Sequence, residues 1–583
     1  MRRFGSKTAD GIKNRTFIIF VTIIIMFTFS ILFRLKPFLE SDFRPYSWDG
    51  LSIVYGAQSL IEKGKFVPDT IQQSGYSPIE YSRRKAYYPI SQIFLALSYK
   101  IISFFGKIEY YNLIVYLSLL LYILLLIVAF FVEIEITENL NLSTLGVFFI
   151  AMSPALTRDL TWCTLFSLKG YLIVFFSLFC LAKYFKMGKN VWLLLFFILS
   201  FLVLPLVHML TSVILIFSFF LMILITNLLD LLKNKKISKL IYLFILISAI
   251  FAALLIFSQI LINYPETQNL NVFEKIIFLL YLGSSYYMHD RFVRNTRNIL
   301  DVPLLTGYLH FVLGIYGLFY IRPKEIKYLL FSILFLATIL GTGYLIGFNY
   351  YGERPIIYTF IPISLAAPVG FSMFTKHLKY ICKKRNKIYY FIIAIILFSI
   401  IQNSFSYQEN FYYSWKPSLP SKYDLEAIEW LNKNALKNYT ILTVHYWPYV
   451  STKWIPILTG MNTTFLQIES IASYEYYEIP TYTPRGFIAF LISKFVNENV
   501  KLSFKEFVIH TFNIGFDQLG YETFLMFKYP ESNESKRLFK YYRIKYVYVY
   551  NGLPEDRTIG SASNFKLIWS NNVVNIYEIN EDH

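Results

Sequence analysis

Asp42-Phe43-Arg44-Pro45-Tyr46-Ser47-Trp48-Asp49-Gly50-Leu51 is the stretch that decides how this chain is read, and it leads into Tyr55, Ala57, Leu60 and Lys63-Gly64-Lys65-Phe66. It follows the first hydrophobic block, and most of the sequence from there to about residue 400 is apolar. A multi-span protein needs little polar sequence outside lipid unless that sequence does something. Here the first external loop presents two carboxylates, an arginine and a tryptophan. An amphipathic helix follows, with Leu51, Val54, Tyr55, Gln58 and Ile61 on one face. This is the outline of a catalytic loop lying against a membrane.

The chain has 583 residues, 56% of them hydrophobic, and a mean hydropathy of +0.47. That is too apolar for an ordinary soluble enzyme, and several blocks reach the roughly 20 residues that cross a bilayer. The net charge of +18 raises the question of nucleic acid. Residues 407–583 hold 17 basic and 18 acidic side chains, so the excess lies in the first 406, mostly in short loops between spans. Charge placed this way sets topology and is no nucleic-acid footprint. The three cysteines, Cys163, Cys180 and Cys382, all precede residue 407, which excludes a disulfide framework or cysteine zinc site beyond it. The first apolar block, 16–35, is long for a signal-peptide core and reads as a retained span.

The hydropathy pattern predicts about eleven spans, near 16–35, 110–132, 143–157, 170–187, 191–206, 207–229, 239–262, 303–321, 327–348, 354–374 and 388–405. Lys186-Met-Gly-Lys189, Lys233-Asn-Lys-Lys236, Arg322-Pro-Lys324 and Lys376 to Lys387 share the cytoplasmic side only if Ile90–Phe105 does not cross. That segment, headed by Tyr87-Tyr88-Pro89, is assigned as an interfacial or re-entrant helix. The N-terminus is then cytoplasmic, in the plasma membrane, and residues 407–583 are extracytoplasmic. The sequons at Asn438, Asn462 and Asn533 agree weakly with that side, since others at Asn14 and Asn141 fall inside. The expected architecture is an α-helical polytopic membrane domain over 1–406, with a first outer loop at 36–109, and a C-terminal α/β domain over 407–583. In that domain a helix led by Ser421 covers 423–431, and strands cover 439–444, 545–550 and 573–579.

The informative polar residues of the membrane domain gather on the outer side. Asp42, Arg44 and Asp49 are in the first loop. Arg158, Asp159 and Trp162 follow Ser153-Pro154 at the end of the third span. His208 sits in the hairpin 205–211, and His289, Asp290, Arg291, Arg294 and Arg297 occupy a long outer loop. Glu353-Arg354 precedes the tenth span. The set suits transfer from a lipid-linked phosphate donor. A carboxylate acts as general base on an acceptor hydroxyl. Arginines hold the phosphate leaving group. A second carboxylate helps bind a hard divalent ion such as magnesium or manganese. Plainer readings stand beside these. Asp49 is a residue of a helix first turn, Asp159 a solvated loop acid, His208 a satisfied interfacial histidine, Arg354 a snorkelling anchor and Arg291 part of a surface helix face.

Taken together, the chain resembles the GT-C superfamily of polytopic glycosyltransferases. The resemblance is carried by Trp48-Asp49 with Tyr55-Gly56-Ala57 and Lys63-Gly64, Tyr88-Pro89, Ser153-Pro154, His208 with Thr211, and Glu353-Arg354-Pro355. It implies a polyprenyl-phosphate or diphosphate sugar donor, with Asp49 as catalytic carboxylate and Arg354 as a donor-phosphate contact; Arg291 and His208, on the same outer side, are further phosphate-binding candidates. Asp159 matches a second-loop acid that some members use near a metal, which it would share with Asp49. Asp42, Arg44, His289 and Asp290 are accessory candidates. The stretch from Ala427 through Leu458-Thr-Gly460 resembles oligosaccharyltransferase catalytic subunits, but Tyr446-Trp447-Pro448 replaces their Trp-Trp-Asp motif. The paired Asp-Glu of the protein mannosyltransferase and lipid A aminoarabinose transferase groups is missing too, because Gly50 follows Asp49.

The expected partners are a lipid-linked sugar donor, membrane lipid and a glycan, lipid or protein acceptor. Two other readings remain open. A transporter or flippase of lipid-linked glycans calls for ionisable residues at mid-membrane and inverted repeats, and the sequence offers neither. A non-enzymatic envelope protein with an outer binding domain leaves the first-loop carboxylates without a task.

Overall fold

The structure, a computed structural model, describes residues 21–63 apart from 22, 23, 27 and 47, together with 89–186, 190–232, 301–342, 354–382, 386–416, 419–445, 454–467 and 518–580. Along the chain, α1 (positions 28–40) precedes α2 (Trp48–Lys63), α3 (Pro89–Ser103), α4 (Tyr110–Thr137), α5 (Leu140–Ala151), α6 (Pro154–Thr161) and α7 (Leu165–Lys186). Next come α8 (Val191–Val207), α9 (Met209–Leu232), α10 (Asp301–Thr306), α11 (Tyr308–Leu318), α12 (Lys324–Thr342), α13 (Arg354–Ile357), α14 (Phe360–Cys382) and α15 (Asn386–Trp415). The C-terminal region adds α16 (Lys422–Asn434), β1 (Thr440–His445), α17 (Trp454–Thr459), β2 (Asn462–Gln467), α18 (Gln518–Lys528), α19 (Asn533–Tyr541), β3 (Ile544–Tyr550), α20 (Pro554–Ser561), β4 (Phe565–Ser570) and β5 (Val574–Ile579). Two compact units emerge, drawn from Met1–Asp42, Tyr116–Gln259 and Arg291–Tyr412, and from Phe43–Val115, Ile260–Asp290 and Tyr413–His583.

The first unit is helical. Among the described residues, Tyr110–Thr137, Leu165–Lys186, Pro355–Cys382 and Lys387–Ser414 are long and apolar enough to cross a bilayer, and the bent pair α5–α6 makes a fifth candidate. Shorter apolar helices cover Val191–Leu204, Leu210–Thr226 and Tyr308–Leu318. The expected span at 239–262 lies outside the described residues. The span expected at 143–157 is not continuous. Its helix stops after Ala151 and restarts at Pro154, bent by 56°. Ser153 takes extended backbone (φ −65, ψ 123), as a residue before proline prefers, and Pro154 starts α6 without an N–H to satisfy. The span expected at 303–321 is likewise interrupted at Gly307, whose φ of +92 favours glycine.

Close backbone approach locks α11 to α14. A Cβ on Gly317 would stand 2.7 Å from the Gly370 nitrogen, and one on Gly370 would stand 2.9 Å from the Gly317 nitrogen. Lipid gives helices little hydrophobic reason to associate, so small residues that let backbones touch supply the dispersion instead.

The second unit joins the first-loop helices to the C-terminal α/β fold. Its five-stranded sheet has the order β2-β1-β3-β5-β4, with β1 parallel to both β2 and β3, and β5 antiparallel to both β3 and β4. Ser421 and Asp424 form a capping box at the start of α16. Asp424 also accepts the Tyr548 hydroxyl at 2.8 Å, which ties that helix to the sheet. Leu51 of α2 is buried in one core with Ala427, Leu431, Trp454 and Tyr548. The expectation that α2 offers one apolar face needs widening. Ile53, Gly56, Ala57 and Ser59 are buried as well, and Gly56 packs against the Gln92 side chain of α3, where a Cβ would come within 2.2 Å.

Candidate functional site in the membrane unit

The break between α5 and α6 creates the local problem that builds this site. Interrupting a helix leaves carbonyls without N–H partners, which is costly away from water. Arg34 of α1 answers it. Its Nη2 donates to the Ala151 carbonyl at 2.8 Å and to that of Ser153 at 2.9 Å. Its Nη1 donates to Gln408 Oε1 at 2.9 Å and to the Thr157 hydroxyl. All eight residues of α6 are buried.

Asp159 lies on this short helix and is only 5% exposed. Thr164 donates its hydroxyl to Oδ1 at 3.1 Å, and Tyr171 donates to Oδ2 at 2.5 Å. The Thr164 amide also caps the Asp159 carbonyl at 3.0 Å, made possible by the left-handed turn at Cys163 (φ 53). Arg158 lies over the Trp162 ring at 4.2 Å. The reading of Asp159 as a solvated loop acid is therefore overturned. The helix restarted by Pro154 carries it inward, and two hydroxyls replace its water.

Tyr171 packs edge-on against Tyr358 at 5.3 Å. The Tyr358 hydroxyl meets His208 Nδ1 at 2.9 Å and also bonds the Thr211 hydroxyl, while Thr211 meets the same His208 nitrogen at 2.5 Å. His208 ends α8, its amide donating to Leu204, and is 8% exposed. Gly170 allows this approach, because a Cβ there would stand 2.8 Å from Thr211 Oγ1. Asp159 and His208, far apart in sequence, thus share one buried polar layer through Tyr171, Tyr358 and Thr211.

The other expected site residues are placed less closely. Arg354 opens α13, one helical turn before Tyr358, and its side chain is outside what the structure describes. Asp49 stands in the first turn of α2, and its side chain is likewise not described. Asp42 is exposed, with φ 53 at the end of α1, and Arg44 is half-buried. His289, Asp290 and Arg291 fall outside the described residues, as do Arg294 and Arg297. The sequence reading missed Arg34, Tyr171 and Tyr358. It also placed its candidate site residues only at the outer edge and found no ionisable groups near mid-membrane, whereas Arg34, Glu133 of α4 and His310 of α11 are buried within helices.

Asp159 offers the hard oxygen ligands that magnesium or manganese prefers. Among the described residues no three His, Cys, Asp or Glu side chains converge, so this layer alone is a small donor set for such an ion.

No protein-family model matches the sequence, and no curated protein matches it. Solved structures do. ArnT from Cupriavidus metallidurans bound to undecaprenyl phosphate matches with a TM-score of 0.55 at 9% identity, over 95% of this chain and 97% of that one. The archaeal oligosaccharyltransferase AglB from Archaeoglobus fulgidus, in complex with an inhibitory peptide and a dolichol-phosphate, matches with a TM-score of 0.50 at 12% identity, over 91% of this chain and 69% of that one. At these identities the likeness is one of fold, and it extends over nearly the whole chain. The chain shares its fold with these two membrane proteins.

Proposed function

We propose that this protein is an integral-membrane glycosyltransferase that moves a sugar from a polyprenyl-phosphate-linked donor to a glycan, lipid or protein acceptor on the outer face of the plasma membrane. The observation that carries the reading is the clasp on Asp159. Burying a carboxylate costs several kcal/mol, and this one is oriented by Thr164 and Tyr171 in a layer that also holds His208. In this reading Asp49 takes the proton from an acceptor hydroxyl. The new carbon–oxygen bond forms as the sugar–phosphate bond breaks, and the phosphate leaves on its lipid. Arg354, with Arg291 and His208, holds that phosphate. Asp159 is the second carboxylate, and Asp42, Arg44, His289 and Asp290 are accessory.

A transporter of lipid-linked glycans is the second reading, and Glu133 favours it. Neither of its carboxylate oxygens has a hydrogen-bond partner among the described residues, and it is fully buried against Gly146. Purified full-length protein in lipid nanodiscs, given radiolabelled lipid-linked sugars from the source membranes, separates the two. Label passing into a new covalent product, lost in Asp49→Asn and kept in Glu133→Gln, supports transfer. Label crossing the bilayer unchanged, and stopped by Glu133→Gln, supports transport and sinks the enzyme reading. The same assay with and without a chelator, then with magnesium or manganese added back, decides whether a metal takes part.

A further inference from the structure

We propose that Arg34 is a positioning residue that holds the α5–α6 break in one geometry and so keeps Asp159 in place, an assignment that rests on reading Asp159 as a working carboxylate. Arg34 is 2% exposed, although charged side chains are expensive inside a membrane protein. Its nitrogens reach neutral oxygens at the end of α5, at the start of α6 and on α15, and the Tyr122 hydroxyl of α4 lies beside it. The guanidinium therefore serves geometry rather than a salt bridge. One planar fork reaches the carbonyls of Ala151 and Ser153 on either side of the break and the hydroxyl of Thr157, two residues before Asp159. Gln408 is held in turn, its Nε2 donating to the Phe33 carbonyl at 2.8 Å.

Two features make Arg34 separable from the rest of the fold. Lys36, two residues after Arg34, pairs with Glu409 at 2.5 Å, so α1 keeps a second tie to α15 when Arg34 is changed. At the other end of α6, the Thr164 and Tyr171 bonds to Asp159 do not involve Arg34. Loss of Arg34 is expected to loosen the segment from the break to Cys163 and leave the remaining helices packed.

Cys163 and Cys180 are both buried and reduced, one in the turn after α6 and one in α7, so they report the two regions separately. The experiment follows their alkylation by N-ethylmaleimide in the purified full-length protein, by mass spectrometry. In Arg34→Lys, whose ammonium cannot span the same acceptors, Cys163 should react at least about tenfold faster, the change that losing one charge-assisted hydrogen bond implies. Cys180 should keep its wild-type rate. Arg34→Met should give a larger effect at Cys163. If Arg34→Met also exposes Cys180, that variant has unfolded and Arg34→Lys alone decides. Wild-type protection of Cys163 in Arg34→Lys overturns the proposal. With radiolabelled lipid-linked sugars from the source membranes, Arg34→Lys should lower turnover about tenfold and shift the apparent KM less than about threefold, because Arg34 has no open surface. A KM change without a turnover change also overturns it. If the wild-type protein transfers no sugar, the functional reading fails, while the Cys163 rates still show whether Arg34 holds the break.

Discussion

Tyr171 donates its hydroxyl hydrogen to Oδ2 of Asp159 from the next helix, so the orientation of this acid is set by a residue twelve positions away. Asp159→Asn preserves shape and removes charge. Transfer in this variant should fall at least about 100-fold, the lower end of what a working carboxylate contributes. Tyr171→Phe removes one hydrogen bond to a charged group, about 1.5–3 kcal/mol, and should lower transfer roughly tenfold or more. Rates are read in the radiolabelled assay beside thermal unfolding curves. Equal rates in wild type and Asp159→Asn would return Asp159 to a structural role.

Asp49→Asn should insert and express normally, since asparagine is as good at a helix start. Its transfer rate should drop at least about 100-fold if the carboxylate is the general base. Asp42→Asn should be milder, because Asp42 is exposed and its left-handed backbone suits asparagine equally. A wild-type rate in Asp49→Asn would reduce Asp49 to a first-turn residue.

Arg354→Ala should weaken binding of undecaprenyl phosphate, measured by flotation with labelled lipid, by the roughly 1.5–3 kcal/mol of a charge-assisted bond. Arg354→Lys should fall between, since lysine keeps the charge and loses the fork. Unchanged binding in both variants would identify an interface anchor.

Gly317→Ala places a methyl against the backbone of α14, where Ala366 and Gly370 leave no room. Overpacking of this kind costs about 1–3 kcal/mol, and the detergent-solubilised protein should melt several degrees lower. Gly106→Ala is the control, with nothing near its Cβ position. Equal melting of the two variants would mean that α11 and α14 tolerate separation.

Topology is testable with single cysteines in a Cys382→Ser background. Glu534 and Lys324 are both exposed, so Glu534→Cys should label in intact cells with an impermeant maleimide and Lys324→Cys only after permeabilisation. Labelling of Lys324→Cys from outside would reverse the orientation drawn from the basic loops.

Long apolar runs and their flanking lysines made the helical unit legible, because hydropathy is an additive property of the local chain. The Ser421 cap and the strands near 439–444, 545–550 and 573–579 were legible for a similar reason. β2 and β4 were not. Phe565–Ser570 places Leu567, Ile568 and Trp569 in succession, so it lacks the apolar–polar alternation that marks a half-buried strand. At the site, Ser153-Pro154 marked a helix boundary, but nothing local distinguishes a loop from a second short helix turning inward. Arg34 stands near the end of an apolar run, where a lone cation usually reaches for water. Its role depends on carbonyls more than a hundred residues later. Tyr171 and Tyr358 were lost among 48 tyrosines.

Leu51 shares its core with Ala427, Leu431 and Trp454, residues made long after it. At about 5–20 residues per second, the helix bearing Asp49 waits roughly 20–75 s during synthesis for the surface that will bury it. Over that interval its apolar residues have only α3, lipid or a chaperone for company. Nascent chains arrested before residue 420 should therefore show this helix open to protease, with protection arriving only once α16 and the sheet have been translated.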